Sequence, residues 1–228
     1  MTDISAIVTA HREGLLAGVT ARSALEAIAH ATATGISTEI IVVLDRPDDL
    51  TRDVLANCLD ADIRIVETDF GDPGLARNAG IEAAGGTCAT FLDGDDLWSE
   101  NWLTAAFALS TARPEAVIHS QCNIVFGGER NVWWHVDSEG DLFDPDYLRW
   151  TNYWDAMSFA RTATYRDTPF RANDLKNGFG HEDWHWNVQT VAKGIPHKPA
   201  PGTLHFKRRR SDSQMANVAK HDASIWPD

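Results

Sequence analysis

Apolar residues fall in short runs separated by polar turns, and these runs alternate with stretches whose apolar residues recur at helical spacing. Ile4-Ser5-Ala6-Ile7-Val8 predicts a first strand, ending in the polar turn Thr9-Ala10-His11-Arg12-Glu13. An alanine-rich helix follows, in which Ala21, Leu25, Ile28 and Ala29 predict the buried stripe and Gly35 the stop. Ile40 to Leu44 is apolar at every position, as in a parallel strand covered on both faces. It ends at Asp45-Arg46-Pro47-Asp48-Asp49, and a helix then runs to about Leu59. Ile63 to Val66 predicts a third strand, the turn 71–74 precedes a helix from Leu75 to Ala84, and Cys88 to Leu92 predicts a fourth strand.

Strand and helix thus alternate over the first half, which predicts an α/β fold with a mainly parallel, Rossmann-like sheet flanked by helices. Ligands bind such sheets beyond the C-terminal strand ends. The turns at 9–13, 45–49 and 93–96 are expected to converge there. The second half is less regular. Strands are expected at 116–126 and 131–136, with a hairpin at Gly127-Gly128 between them. Short helices at 144–155 and a strand at 156–165 follow. A helix spans Glu182 to Ala192 with Trp184, Val188 and Val191 turned inward, then come an extended segment, 196–201, and a last strand, 203–207. No repeat or linker interrupts the chain. The composition shift near residue 113 divides one domain, 1–228, into halves 1–112 and 113–228.

Composition changes this picture little. At 228 residues and 43% hydrophobic, the chain can bury a substantial core. Its net charge of -13 argues against general binding of nucleic acid or anionic lipid. Cys58, Cys88 and Cys122 are widely spaced, as reduced thiols of a cytoplasmic protein are. No basic-then-apolar leader opens the chain, and no apolar stretch approaches the ~18 residues of a membrane span. The expectation is a cytoplasmic protein, at most peripheral to a membrane.

The candidate chemistry centres on Asp93-Gly94-Asp95-Asp96, directly after the fourth strand. Stacked carboxylates repel, and a hard cation such as Mg2+, Mn2+ or Ca2+ relieves the repulsion. The plain alternative is an acidic turn in which Asp96 caps a helix. Leu97 and Trp98 stand where an EF-hand loop needs an oxygen ligand and a glycine. A phosphatase like those of the haloacid dehalogenase family would carry Asp-x-Asp after its first strand, not its fourth. His181-Glu182-Asp183-Trp184-His185 spells the H-E-x-x-H of a zinc hydrolase, but Gly178-Phe179-Gly180 before it sets His181 ahead of the helix.

Several segments, in order, resemble family 2 glycosyltransferases of the GT-A fold. These are Ile7-Val8-Thr9-Ala10, Ile40 to Asp49, Ala76-Arg77-Asn78-Ala79-Gly80, Phe91 to Asp96, Gly180 to Trp184, and His205 to Ser213. Two departures stand out. Leu44-Asp45-Arg46-Pro47 replaces the usual Asp-Asp-Gly-Ser, and Trp184 follows Asp183 at once where the family's tryptophan comes later.

The resemblance implies an inverting transferase that takes a nucleotide-sugar donor, a UDP-sugar by default, and Mn2+ or Mg2+. It moves the sugar to an acceptor hydroxyl of undefined identity, saccharide or lipid-linked. By the same resemblance Asp95 and Asp93 would hold the metal, with His205 completing the site. Thr9, Asp45, Arg77, Asp93 and Arg209 would bind the nucleotide. Asp183 would be the general base, and Glu182, Trp184 and Trp186 would meet the acceptor. Each has a plainer reading. Arg77 can be a surface helix cation, Glu182 and Asp183 a charged helix start, the tryptophans core packing, and Lys207 to Arg210 a solvated loop. A binding module without turnover remains the non-enzymatic alternative.

Overall fold

The computed structural model describes residues 2–59, 63–210, 221 and 223–226. The first half follows the predicted alternation. It comprises β1 (Ile4–Ala10), α1 (Leu16–Ala33), β2 (Thr38–Asp45), α2 (Asp49–Cys58), β3 (Arg64–Thr68), α3 (Pro73–Ala83), β4 (Cys88–Asp93), β5 (Leu97–Trp98) and α4 (Trp102–Ala112). The second half adds β6 (Val117–Gly127), β7 (Asn131–Trp134), β8 (Phe159–Arg161), α5 (Thr162–Asp167), α6 (Glu182–Ala192) and β9 (His197–Arg209). All strands join one sheet of nine, ordered β3-β2-β1-β4-β8-β6-β9-β5, with β7 paired to β6. The β3-β2-β1-β4 half is parallel. β8 enters antiparallel between β4 and β6, while β9 runs parallel to β6 along almost its whole length.

Alternation along β1 and β2 explains why both read as continuously apolar. Val8, Val42 and Leu44 face a core built with α1 and α4. Ile7, Ile41 and Val43 face a second core with α3, Tyr165, Phe170 and Trp186. A strand buried on both sides has no solvent face to mark with polar residues.

Four expectations about the second half and the helices need correction. The α1 stripe is built from small residues, Ala17, Thr20, Ala21, Ala24, Ala27 and Ala31, while Ala29 is exposed. Leu25 and Ile28 only flank it. Short side chains let the helix lie close to the sheet, so the contact face is the small one. In place of short helices at 144–155 there is a single 3-10 turn, Pro145–Arg149. The strand expected at 156–165 shrinks to the three residues of β8, because the chain turns into α5 where Thr162 Oγ1 donates to the Gly86 carbonyl at 2.6 Å. The segments 196–201 and 203–207 are one strand, β9, with a register shift opposite Ser120/Cys122.

The packing of α3 on β1 makes a sharp test. A Cβ on Gly80 would lie 2.5 Å from Ile7 Cγ2 and 3.2 Å from Val43 Cγ2. Overpacking of this kind costs about 1–3 kcal/mol. Gly80→Ala therefore lowers the free energy of unfolding by that order in urea titration, although alanine is the better helix former. An unchanged or raised midpoint would contradict the packing described here.

Candidate active site

The C-terminal ends of β1, β2 and β4 open into a cleft of about 330 Å3, lined by Thr9, Asp45 and Asp93 to Asp96. The start of α6 and the end of β9 close it, bringing Glu182, Asp183 and Lys207 to Arg210 to the same space. The three predicted turns do converge, and the topology accounts for it, since parallel neighbouring strands end on one side of the sheet.

Asp93 sits at the end of β4. Its Oδ1 accepts from Arg77 Nη2 at 2.8 Å and from Thr9 Oγ1 at 3.3 Å, and Lys207 Nζ lies 3.7 Å from its Oδ2. Burial opposes its ionisation, but Arg77 and Lys207 outweigh burial and hold the carboxyl well below the usual range. The next turn is tight, closed by a bond from Asp96 N to the Asp93 carbonyl at 3.0 Å. A Cβ on Gly94 would lie 2.9 Å from the Thr9 carbonyl oxygen, so β4 turns directly over the end of β1. Burial raises the Asp95 carboxyl against the pull of Arg210, and repulsion from Asp93 adds to the rise. Asp96 is tied to β9. Its oxygens accept from Arg208 N at 2.6 Å and Lys207 Nζ at 3.2 Å, and burial pushes its carboxyl up to about 7. Asp96 thus fastens the acidic turn to β9 and caps no helix, since Leu97 and Trp98 form β5.

Arg77 is not a surface cation. It is 3% exposed, and its guanidinium spans Asp93 at 2.8 Å and Glu182 Oε1 at 2.7 Å. It therefore joins the acidic turn to the start of α6. Asp45 differs from its expected part. Its oxygens accept from Thr68 Oγ1 at 3.0 Å, Phe70 N at 2.7 Å and Asp72 N at 3.1 Å, so it shapes the cleft wall by holding the loop after β3. Arg209 does line the cleft. Ser211 and Ser213 lie outside the described residues.

His205 is corrected most clearly. It is fully buried, its ring packs edge-on against Trp102 with centroids 4.5 Å apart, and it does not line the cleft. Burial pushes its imidazole down to about 3. His205 and Lys207 share a face of β9, two residues apart. The residue nearer the strand end reaches the carboxylates, and that is Lys207, which lies 3.2 Å from Asp96 and 3.7 Å from Asp155. The tryptophans are also reassigned. Trp186 is 1% exposed, stacks on Tyr165 and Phe170, and donates to the Thr168 carbonyl at 2.6 Å. The Trp184 indole donates to the Leu148 carbonyl at 2.8 Å, and neither ring lines the cleft. Glu182 does reach the cleft, but its carboxylate is held by Arg77 and by Asn173 Nδ2 at 3.0 Å.

Asp183 opens α6 beside Glu182 and lines the cleft. Burial and the neighbouring Glu182 push its carboxyl up to about 7, against Arg77 and Lys207. His181 precedes the helix with a left-handed backbone, φ 60°, and its ring packs on Trp184 while that of His185 packs on Phe179. The two histidines do not face one site, and the zinc-hydrolase alternative fails on that geometry. Lys207, Arg210, Glu13 and Asp155 were missed as individual residues. Strand alternation within the basic run was the only available signal for Lys207, Glu13 was marked only as part of the turn at 9–13, and nothing in the sequence marked Asp155.

Eight carboxylates face five Lys and Arg side chains along the cleft among the described residues. A cation beside an anionic ligand would relieve its repulsion from the ionised members of this set. No three His, Cys, Asp or Glu side chains among the described residues could hold a metal by themselves. The hard oxygens of Asp95 and Asp93 fit Mg2+ or Mn2+ if the remaining ligands are phosphate oxygens and water, as is usual for Mg2+.

Among solved structures, the fold is similar to S. aureus TarS 1-349 in complex with UDP-GlcNAc, with TM-score 0.68 and 18% identity over 94% of this chain. It is also similar to the mannosyltransferase PcManGT from Pyrobaculum calidifontis in complex with GDP-Man and Mn2+, with TM-score 0.65 and 14% identity over 93% of this chain. The chain spans 61% and 59% of those two chains. No curated protein matches it. Described helices include none long and apolar enough to cross a membrane. The family model for glycosyl transferase family 2 matches residues 5–173, which takes in β1 to β8 and the whole acidic turn and stops short of α6 and β9. The chain belongs to glycosyl transferase family 2.

Proposed function

We propose that this chain moves a sugar from a nucleoside-diphosphate donor to an acceptor hydroxyl with inversion, using residues 1–112 mainly for the nucleotide and 113–228 mainly for the acceptor. The observation that carries the reading is the meeting of Asp183 with Asp93, Asp95 and the Lys207–Arg210 cations in one cleft. A carboxylate with its pKa pushed up to about 7 by burial suits a general base near neutral pH. Asp183 takes the acceptor hydroxyl proton as that oxygen bonds to the anomeric carbon, and the diphosphate leaves with the electron pair of the broken C–O bond. Attack from the face opposite the leaving group inverts the configuration.

Mn2+ or Mg2+ held by Asp95 and Asp93 would neutralise charge on the leaving diphosphate. Arg209 and Arg208 supply further cationic charge at the same opening. Thr9 and Asp45 form the wall against which the base would lie. The complexes of TarS with UDP-GlcNAc and UDP favour a UDP-sugar, although PcManGT holds GDP-Man.

Thermal stability with UDP, GDP, CDP and dTDP, each with and without Mn2+, tests this reading directly. A ligand at 100 times its Kd adds roughly 2.7 kcal/mol to stability. One nucleotide is expected to raise the Tm only when Mn2+ is present. No rise with any nucleotide would sink the proposal.

A further inference from the structure

In the sheet order β3-β2-β1-β4, the end of β2 lies two strands, about 10 Å, from the acidic turn after β4. A nucleoside diphosphate with its phosphates at Asp93 and Asp95 would therefore carry its base toward the ends of β1 and β2. Asp45 is there, but both of its carboxylate oxygens are engaged. Oδ1 accepts from Thr68 Oγ1 and Phe70 N, and Oδ2 accepts from Asp72 N. His11 directly follows β1 and lines the same part of the cleft as an exposed residue. Its backbone N–H donates to Glu13 Oε2 at 2.6 Å, and its ring Nδ1 is hydrogen-bonded to the Asp45 backbone carbonyl. Backbone and ring are thus both held. A carbonyl oxygen only accepts, so Nδ1 carries the proton, and in the neutral imidazole Nε2 is then an acceptor. Nε2 has no hydrogen-bond partner among the described residues.

We propose that His11 reads the donor base through Nε2 and selects bases whose pairing-edge ring nitrogen carries a proton, namely uracil, thymine and guanine. The inference rests on the glycosyl-transfer reading above and deepens it, because it names the class of donor base and the residue that selects it. The ring N–H of these bases donates to Nε2. The matching ring nitrogen of cytosine or adenine carries a lone pair, which the lone pair of Nε2 repels. The bond from Nδ1 to the Asp45 carbonyl fixes the tautomer, so Asp45 acts on the base through its main chain while its carboxylate holds the loop after β3. A neutral acceptor also reads the base without adding charge to a cleft already rich in carboxylates.

The test is calorimetric binding of UDP, dTDP, GDP, CDP and ADP with Mn2+ at about pH 8, where imidazole is neutral. The tightest ligand is then compared with its analogue methylated at the ring N–H, N3-methyl for a pyrimidine and N1-methyl for guanine. The wild type is expected to bind UDP, dTDP or GDP most tightly and to lose about fivefold on methylation, the worth of one neutral hydrogen bond. His11→Ala removes the acceptor and leaves room for the methyl group, so it should bind the nucleotide and its methyl analogue alike. The wild-type comparisons need no variant, so a poorly folded His11→Ala does not shelter the proposal. Tightest binding of CDP or ADP by the wild type, no loss on methylation, or the full preference surviving in His11→Ala each overturns the assignment of His11 and leaves the glycosyl-transfer reading in place. A wild type that binds no nucleotide with Mn2+ overturns both.

Discussion

Asp183→Asn is expected to lower turnover by roughly 10²–10⁴-fold, the usual contribution of a positioned general base. Donor binding, measured by calorimetry with the nucleotide that stabilises the wild type, should stay within a few-fold. A pure binding module would lose nothing that can be measured as function, so the same variant separates the enzyme from its non-enzymatic alternative. The pH profile carries the sign. The Asp183 carboxyl, pushed up to about 7, is protonated below that pH and cannot accept the hydroxyl proton. Activity of the wild type therefore rises as pH increases through about 7 and then levels, while the residual activity of Asp183→Asn lacks that rise. Stability moves the opposite way. A carboxyl whose folded pKa lies above its ordinary value of 3.8 favours the fold fully below 3.8, and that advantage is lost as pH rises through about 7. The asparagine variant escapes this loss, so at pH 8 its Tm should equal or exceed that of the wild type. A lower Tm together with unchanged turnover would remove Asp183 from the chemistry.

Arg77→Met should be among the most destabilising single changes in the protein. It leaves Asp93 and Glu182 facing each other across a buried space with no cation between them. Removing one partner of a buried ion pair costs roughly 3–5 kcal/mol. In a chain of this size that corresponds to a Tm lower by about 10 °C. Arg77→Lys should recover only part of the loss, because one ammonium does not reproduce two directed contacts at 2.8 Å and 2.7 Å. Adding Glu182→Gln to Arg77→Met removes one of the stranded charges and should restore some stability. Calorimetric unfolding of the four proteins decides the matter, and a methionine variant within about 1 kcal/mol of the wild type would contradict the role of Arg77 as a buried link.

The fold of the first half and the place of its cleft were legible because both depend on local periodicity. Runs such as Ile40–Leu44 can only be strands covered on both faces, and alternating strands and helices can only wind one way. The C-terminal ends of parallel strands then gather Thr9, Asp45 and Asp93 on one side without any long-range information. Family membership was likewise readable, since Ala76 to Gly80 and Phe91 to Asp96 keep their order along the chain.

What only the tertiary structure decided is which member of a pattern faces inward, and with which partner. The α6 stripe shows why. Hydrophobicity points to Trp184, Val188 and Val191, yet the buried face carries Glu182, Trp186, Asn187 and Thr190. The Asn187 amide donates to Asn152 Oδ1 at 3.0 Å and Thr190 Oγ1 lies 2.8 Å from His197, so these polar groups find partners outside the helix. The same reason separates Lys207 from His205 and makes Arg77 a buried link, not a surface charge. A sequence shows which side chains carry charge or hydrogen-bonding groups. The residues that satisfy them belong to other elements, as far as a hundred positions away for Glu182 and Arg77, and only the folded chain brings them together.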